Sequence, residues 1–374
     1  MSSKPENAVE AELQKLVGSN RVPGIQYTVV DADGIRFQYQ SGMSDLTRKT
    51  PVAPATTFMA SSSTKVITAA AVLKLVEIGK LRLDDPLTAY YAEHPYGKDV
   101  TVRHLLAQTS GIPNPLPLEW IHRIEDHDRY DENRELQETM RQNAKLRWIP
   151  GGKYGYSNIS YWLLGKVIES ASRNSYVEYL RKNVFEPLDV NDTEAGFEID
   201  IMRHAVGYQT KVSLVGLSLY LMMDRRMIAD TVQGRFSLLP VYMNGPAYGG
   251  LICTATGFAR FLQDLLRPTP RLFSATTRDL LLTKQLTNGG HDTGMTLGFR
   301  TGRLGNDMYY GKPGGGPGFR SNVRIYPLRK IAVAWMANET GVSENEMNSI
   351  SDLLDRHWCV PAKTETDLFS HRDQ

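Results

Sequence analysis

Cysteine is nearly missing: Cys253 and Cys359 are the only two in 374 residues. Neither sits in a zinc or redox spacing, so a disulfide scaffold is excluded and buried free thiols are expected. A surplus of one charge is also missing, because 43 Lys and Arg against 41 Asp and Glu leave a formal net charge of +2. That balance makes no polyanion footprint, and nucleic acid is excluded as a partner. The longest nearly apolar run, residues 212 to 223, is too short for the ~20 residues that a bilayer crossing needs. The opening Met-Ser-Ser-Lys-Pro-Glu-Asn has no apolar segment of a secretory leader, so the expected compartment is the cytoplasm. Glycine fingerprints for nucleotides, H-E-x-x-H and G-x-S-x-G are absent as well, which removes the P-loop, zincin and α/β-hydrolase readings. No cofactor and no metal is expected.

What is present reads as an ordinary globular chain, 41% hydrophobic and 22% charged, and long enough for two domains. Residues 5 to 20 carry Val9, Leu13, Leu16 and Val17 at helical spacing. Ile25 to Asp31 and Ile35 to Gln40, joined through Ala32-Asp33-Gly34, read as a hairpin. Between about Leu81 and Thr287 the strand signal nearly vanishes, and Val102 to Gln108 and Ser160 to Ser172 read as helices. The mixed-charge run 119 to 138 contains His122 and His127 and reads as a solvated helix face, not a metal site. After Thr287 the period returns to two: strands are predicted at Met295–Thr301, Asp307–Gly311, Ser321–Tyr326 and Ile331–Ala337, then a helix from Ser343 to Trp358. Strands at both ends around a helical middle predict an α+β fold. Residues 1–80 and 288–374 would form a sheet domain with terminal helices, 81–287 a mostly helical insertion, and the site a cleft between them.

The chemistry concentrates in three stretches. Residues 58 to 79 open with Ser61-Ser62-Ser63 and continue as a helix apolar on almost every face, with Lys65 in its first turn and Gly79 as its stop. A buried ammonium is costly unless something uses it, and three-residue spacing puts Lys65 beside the Ser62 hydroxyl. A desolvated lysine loses pKa and can take a proton from a nucleophilic serine. Second, Pro150-Gly-Gly-Lys-Tyr-Gly-Tyr-Ser-Asn158 presents Tyr156 and Asn158 just before a helix. A tyrosine near two lysines is a candidate proton shuttle with a lowered pKa, and Asn158 can hold Lys65 or a carbonyl. Third, Gly311-Lys-Pro-Gly-Gly-Gly-Pro-Gly-Phe319 lets backbone approach a ligand closely beside the charge of Lys312. Tyr242-Met243-Asn244 and Lys153-Tyr154-Gly155 repeat two of these patterns. They are set aside because the first set sits better between loop, helix and strand.

Taken in order, Ser62-Ser-Thr-Lys65, Tyr156-Ser-Asn158 and Lys312-Pro-Gly314 resemble the S-x-x-K, Y-x-N and K/H-x-G motifs of the serine β-lactamase and DD-peptidase-like superfamily. The likeness is to class C β-lactamases and family VIII carboxylesterases. Tyr248-Gly-Gly-Leu251 and Arg103 to Gly111 also look like that family. The resemblance implies Ser62 as acyl-forming nucleophile and Lys65 and Tyr156 sharing base and acid duty, with either of them the base. Asn158, Lys312, Gly314 and Gly315 would bind substrate, and the amides of Ser62 and Gly315 would form the oxyanion hole. One departure narrows the chemistry: Pro313 stands where the family's threonine donates to a substrate carboxylate, and it has neither hydroxyl nor N–H.

The reading is therefore a serine hydrolase that cleaves small carboxylic esters. A β-lactamase or D-amino-acid amidase or peptidase is the alternative, with a non-catalytic binding protein of the same fold as the reading from another class. Homo-oligomerisation is left open. Residues 212–223 are assigned to buried core, an acyl-pocket wall, or a lid or dimer surface.

Overall fold

The computed structural model describes residues 4–115, 120–210, 225–341 and 343–359; the apolar run 212–223 and the tail from Lys363 lie outside them. Seven antiparallel strands form the main sheet: β1 (Gly24–Val30), β2 (Ile35–Asp45), β3 (Thr50–Pro51), β4 (Arg300–Leu304), β5 (Asp307–Gly316), β6 (Phe319–Tyr326) and β7 (Ile331–Ala337). Their spatial order is β4-β5-β6-β7-β1-β2-β3. The N-terminal hairpin thus joins the C-terminal meander through β1 against β7, with Tyr27 opposite Trp335 and Val29 opposite Val333.

Alternation along these strands assigns the two faces. Ile25, Tyr27, Val29, Val333 and Trp335 pack with Val9, Leu13 and Leu16 of α1 (Pro5–Gly18) and with Ile350 and Leu354 of α5 (Glu344–Cys359). Buried polar bonds pin α5 there: Tyr326 and Tyr27 donate to Asp355 at 2.7 and 3.1 Å, and Trp335 Nε1 donates to Ser351 at 2.8 Å. Ala332, Ala334 and Met336 face the other way, into the large core that holds Phe258, Phe261 and Leu262 of α4 (Ala255–Leu266). β1 is buried along its whole length because it has a helix layer on each face. Its polar Gln26 is used up by Ala53 and Thr56 carbonyls at 2.8 and 2.9 Å.

α2 (Thr64–Glu77) is buried at every residue from Thr64 to Leu73, as its all-round apolarity predicts. Gly79 adopts φ +70° just beyond its end. α3 (Asn158–Ser172) packs against it and is capped by Ser157, whose hydroxyl accepts from Ser160 N at 3.2 Å.

Several expectations are corrected. The middle of the chain, where the strand signal nearly vanishes, holds several short strands: Ile121–Arg123 pairs with Val241–Met243, Ile252–Cys253 pairs with Phe58–Met59, and Gly207–Thr210 pairs with Arg235–Leu238. Such strands, two to four residues long, are too short to show period two. The hairpin from Ile228 to Leu238 turns at Gln233-Gly234, both with positive φ, the mark of a two-residue primed turn. Residues 119–138 are not one solvated helix, because His122 is buried in a strand and the helix begins at Glu132. Strand β4 starts at Arg300 because Thr296–Phe299 is a tight turn with Gly298 at φ +125°. The strand predicted at Asp307–Gly311 runs on through the glycines: β5 stays paired with β6 as far as Gly316, and the turn comes at Pro317-Gly318.

Candidate active site

Ser61–Ser63 forms a single 3-10 turn that leads into α2. Neighbouring strands hold that turn rather than a cap: Ala60 N–H bonds the Leu251 carbonyl at 2.8 Å, and Ser321 Oγ donates to the Ala60 carbonyl at 2.7 Å. Ser63 Oγ lies 2.8 Å from both the Lys312 carbonyl and Ser321 Oγ. These bonds fix β5 against the serine turn. Gly314 is needed there, since a Cβ on it would lie 2.3 Å from Ala60 O and 2.9 Å from Ser63 N. Gly315 turns the other way, and its Cβ would fall 2.3 Å from Gly341 O.

The tyrosine loop arrives from the opposite side. Gln108 holds it at both polar ends, accepting from Ser157 N at 2.5 Å and donating to Ser157 O at 3.1 Å. Gly155 lies under Trp148, whose ring atoms come within 2.1 Å of where a Cβ would be. Tyr156 is thereby delivered to the serine, with its hydroxyl 2.6 Å from Ser62 Oγ and 3.1 Å from Asn158 Oδ1.

Lys65 is fully buried. Its Nζ reaches Tyr248 O at 2.6 Å, Asn158 Oδ1 at 2.8 Å and Ser62 Oγ at 3.3 Å. The two shorter contacts are to oxygens that only accept, so each takes an N–H; the third partner is a hydroxyl that can donate. A neutral amine satisfies all three, giving two N–H bonds and offering its lone pair to Ser62. Burial first, and the Lys312 charge second, hold the Lys65 pKa well below that of an ordinary lysine.

Lys312 is also buried, with its Nζ 4.9 Å from the centre of the Tyr156 ring, and makes no ion pair among the described residues. Burial, helped by the charge of Arg300, brings its pKa down to about 8, while Glu344 opposes the shift. Arg300 is clamped by Glu344 at 2.5 Å and by the Tyr154 hydroxyl at 2.9 Å. Tyr156 departs from the expectation of a lowered pKa. Burial raises it and outweighs the Ser62 hydrogen bond, so it is a neutral phenol at neutral pH.

Ser62, Lys65, Tyr156, Asn158, Lys312 and Gly314 therefore converge, with Gly315 next along β5. The two repeated patterns do not join them: Lys153 lies over the Trp148 ring at 4.6 Å, and Asn244 binds His122 at 2.8 Å. Sequence reasoning assigned no role to Tyr248, Ser63, Ser321, Gln108 or Arg300. Tyr248 acts through its carbonyl, which leaves no side-chain signature; the only signal was its place in Tyr248-Gly-Gly-Leu251.

A protein-family model described as Beta-lactamase matches residues 9–354. The chain belongs to the beta-lactamase family. That family consists of serine hydrolases, and its fold is the helix-flanked antiparallel sheet described above. The protein flp of Staphylococcus aureus (strain MRSA252) is 28% identical over 216 residues, 56% of this chain and 41% of the relative. The chain thus spans about two fifths of the length of that curated relative. Among solved structures, the octameric penicillin-binding protein homologue from Pyrococcus abyssi aligns over 93% of this chain and 77% of its own. Its TM-score is 0.72 at 26% identity. The D-amino acid amidase from Ochrobactrum anthropi SV3, complexed with D-phenylalanine, aligns over 96% and 99% with TM-score 0.79 at 21% identity, a likeness of fold. Among the described residues of this beta-lactamase family member, no helix is long and apolar enough to cross a membrane.

Proposed function

We propose that the chain is a serine hydrolase that cleaves small carboxylic esters through an acyl-enzyme on Ser62. The observation that carries the reading is the buried Lys65 amine, without an ion pair among the described residues, 3.3 Å from a serine oxygen that also touches the Tyr156 hydroxyl. In this mechanism Ser62 Oγ attacks the ester carbonyl carbon while its proton passes to the neutral Lys65 amine. The C–O bond to the alcohol then breaks. The leaving oxygen takes a proton from Tyr156, which recovers one from the Lys65 ammonium. Water attacks the acyl carbon next, gives its proton to the same amine, and Ser62 leaves with that proton restored. Asn158 orients Lys65, the amides of Ser62 and Gly315 face the oxyanion, and Lys312 supports Tyr156 from across the cleft. The two units proposed to carry this cleft are residues 1–80 with 288–374, and 81–287.

Pro313 favours esters, because it cannot supply the hydroxyl or N–H that would bind a substrate carboxylate. A second reading, β-lactamase or D-amino-acid amidase, draws on Lys312, whose ammonium forms no ion pair among the described residues and suits a carboxylate. Turnover of p-nitrophenyl acetate, butyrate and octanoate beside nitrocefin and a D-amino-acid amide separates the two. Ester turnover that Ser62→Ala reduces by at least ~10³-fold is expected. Ester turnover surviving that change, or faster nitrocefin cleavage, would reject the ester reading. Intact-mass detection of a fluorophosphonate adduct, lost in Ser62→Ala, checks the nucleophile directly.

A further inference from the structure

Behind the wall that holds Lys65 lies a second polar pocket, built around the repeated pattern Tyr242-Met243-Asn244. It encloses about 250 Å³ and is lined by His122, His127, Tyr130, Glu132, Glu198 and Tyr242, among others. Its hydrogen bonds run in one direction. Asn244 Oδ1 accepts from His122 Nδ1 at 2.8 Å, which makes His122 Nε2 the acceptor for His127 Nδ1–H at 2.9 Å. The relay leaves His127 Nε2 as a lone-pair acceptor.

The remaining lining groups follow the same rule. Tyr130 spends its O–H on Asn244 O at 2.7 Å, and Tyr242 spends its own on Glu198 Oε2 at 3.2 Å while accepting Ile199 N–H at 2.9 Å. Glu132 receives Trp162 Nε1 at 2.7 Å and Lys166 at 2.9 Å, so its charge is matched, whereas Glu198 is exposed and forms no ion pair among the described residues. Among the described residues no lysine or arginine lines the cavity. Rings line it closely, His122 stacked on Tyr130 at 4.0 Å and His127 tilted against Tyr242 at 4.1 Å. Among the described residues no group of three His, Cys, Asp or Glu is arranged to hold a metal ion.

We infer that this pocket binds an organic cation rich in N–H donors, a primary ammonium or a guanidinium, separately from the Ser62 cleft. The His127 Nε2 lone pair, a Glu198 carboxylate without an ion pair among the described residues and an aromatic lining complement such a group and disfavour an anion. The volume suits a small molecule rather than a peptide. The inference stands apart from the ester-hydrolase reading, since it uses none of that site's side chains.

Calorimetric titration of the full chain with n-butylammonium and n-butylguanidinium, with n-butanol and butyrate as controls at matched pH and salt, tests it. Saturable binding of at least one cation is expected, with neither control binding. Glu198→Gln, a change at an exposed position, is expected to weaken the cation at least ~5-fold, and His127→Ala to weaken it as well. Ser62→Ala should leave the affinity unchanged. No saturable cation binding, equal binding of butanol, or affinity indifferent to both pocket variants would overturn the inference. Loss of binding in Ser62→Ala would place the cation in the hydrolase cleft instead and overturn it too.

Discussion

At the scale of single residues, the site separates three proton-handling groups by their surroundings. Lys65 has no carboxylate among its contacts, and desolvation favours its neutral form; the same burial keeps the Tyr156 phenol protonated. In the proposed mechanism these directions make Lys65 the first base and Tyr156 the proton relay. Tyr156→Phe should lower kcat about 10²- to 10⁴-fold with little change in KM, as steady-state kinetics on a p-nitrophenyl ester would reveal. In the proposed mechanism Lys312 acts charged, so kcat/KM should fall as pH rises through about 8, and Lys312→Arg, whose charge persists above that pH, should move that alkaline limb upward. The stability consequence has the opposite sign to the functional one. With its native pKa below the unfolded value of 10.5, this lysine binds its proton more weakly in the folded chain, so stability rises from about pH 8 to 10.5. Below that window the charge costs about 3 kcal/mol. Lys312→Met should therefore raise the unfolding free energy at pH 7 by about 1–3 kcal/mol in urea denaturation, even while activity is lost.

At the scale of elements, the arrangement depends on how closely β5 approaches the serine turn. Gly314→Ala places a methyl against backbone oxygen and nitrogen that cannot swing aside. The strand must retreat, and turnover should drop on the order of 10²-fold from misplacement alone. Gly34→Ala, with nothing within 4 Å of the added carbon, should leave turnover unchanged in the same assay. Legibility followed length and burial. α2 was readable from apolarity on every face, and β7 from an unbroken apolar run that is buried between two helix layers. The strand from Lys312 to Gly316 was not, because glycine carries no side-chain period and only its pairing with β6 makes it a strand. His122 and His127 misled for a related reason: their neighbours are charged, yet the rings themselves stack inside a pocket assembled from residues 120 positions away.

For the molecule as a whole, closure of the sheet by β1 against β7 brings the chain ends together, and buried charges lock the periphery onto it. Arg235, on the Gln233-Gly234 hairpin, pairs with Glu339 just past β7 and bonds Asn20 Oδ1 and O at 2.7 and 2.6 Å. Both side chains of the ion pair are almost fully buried. Arg235→Met should cost about 3–5 kcal/mol in denaturant unfolding by stranding Glu339, and adding Glu339→Gln should recover part of that loss. By itself the sequence pointed to the family and singled out Ser62, Lys65 and Tyr156 as candidates, because the ordered motifs that carry them are residue types at fixed spacings within each motif. Only the tertiary structure decided that Tyr248 lends a carbonyl to Lys65, that Tyr156 stays protonated, and that Tyr242-Met243-Asn244 builds a separate pocket. Desolvation and backbone contacts between distant segments govern these features, and neither is written in any local pattern.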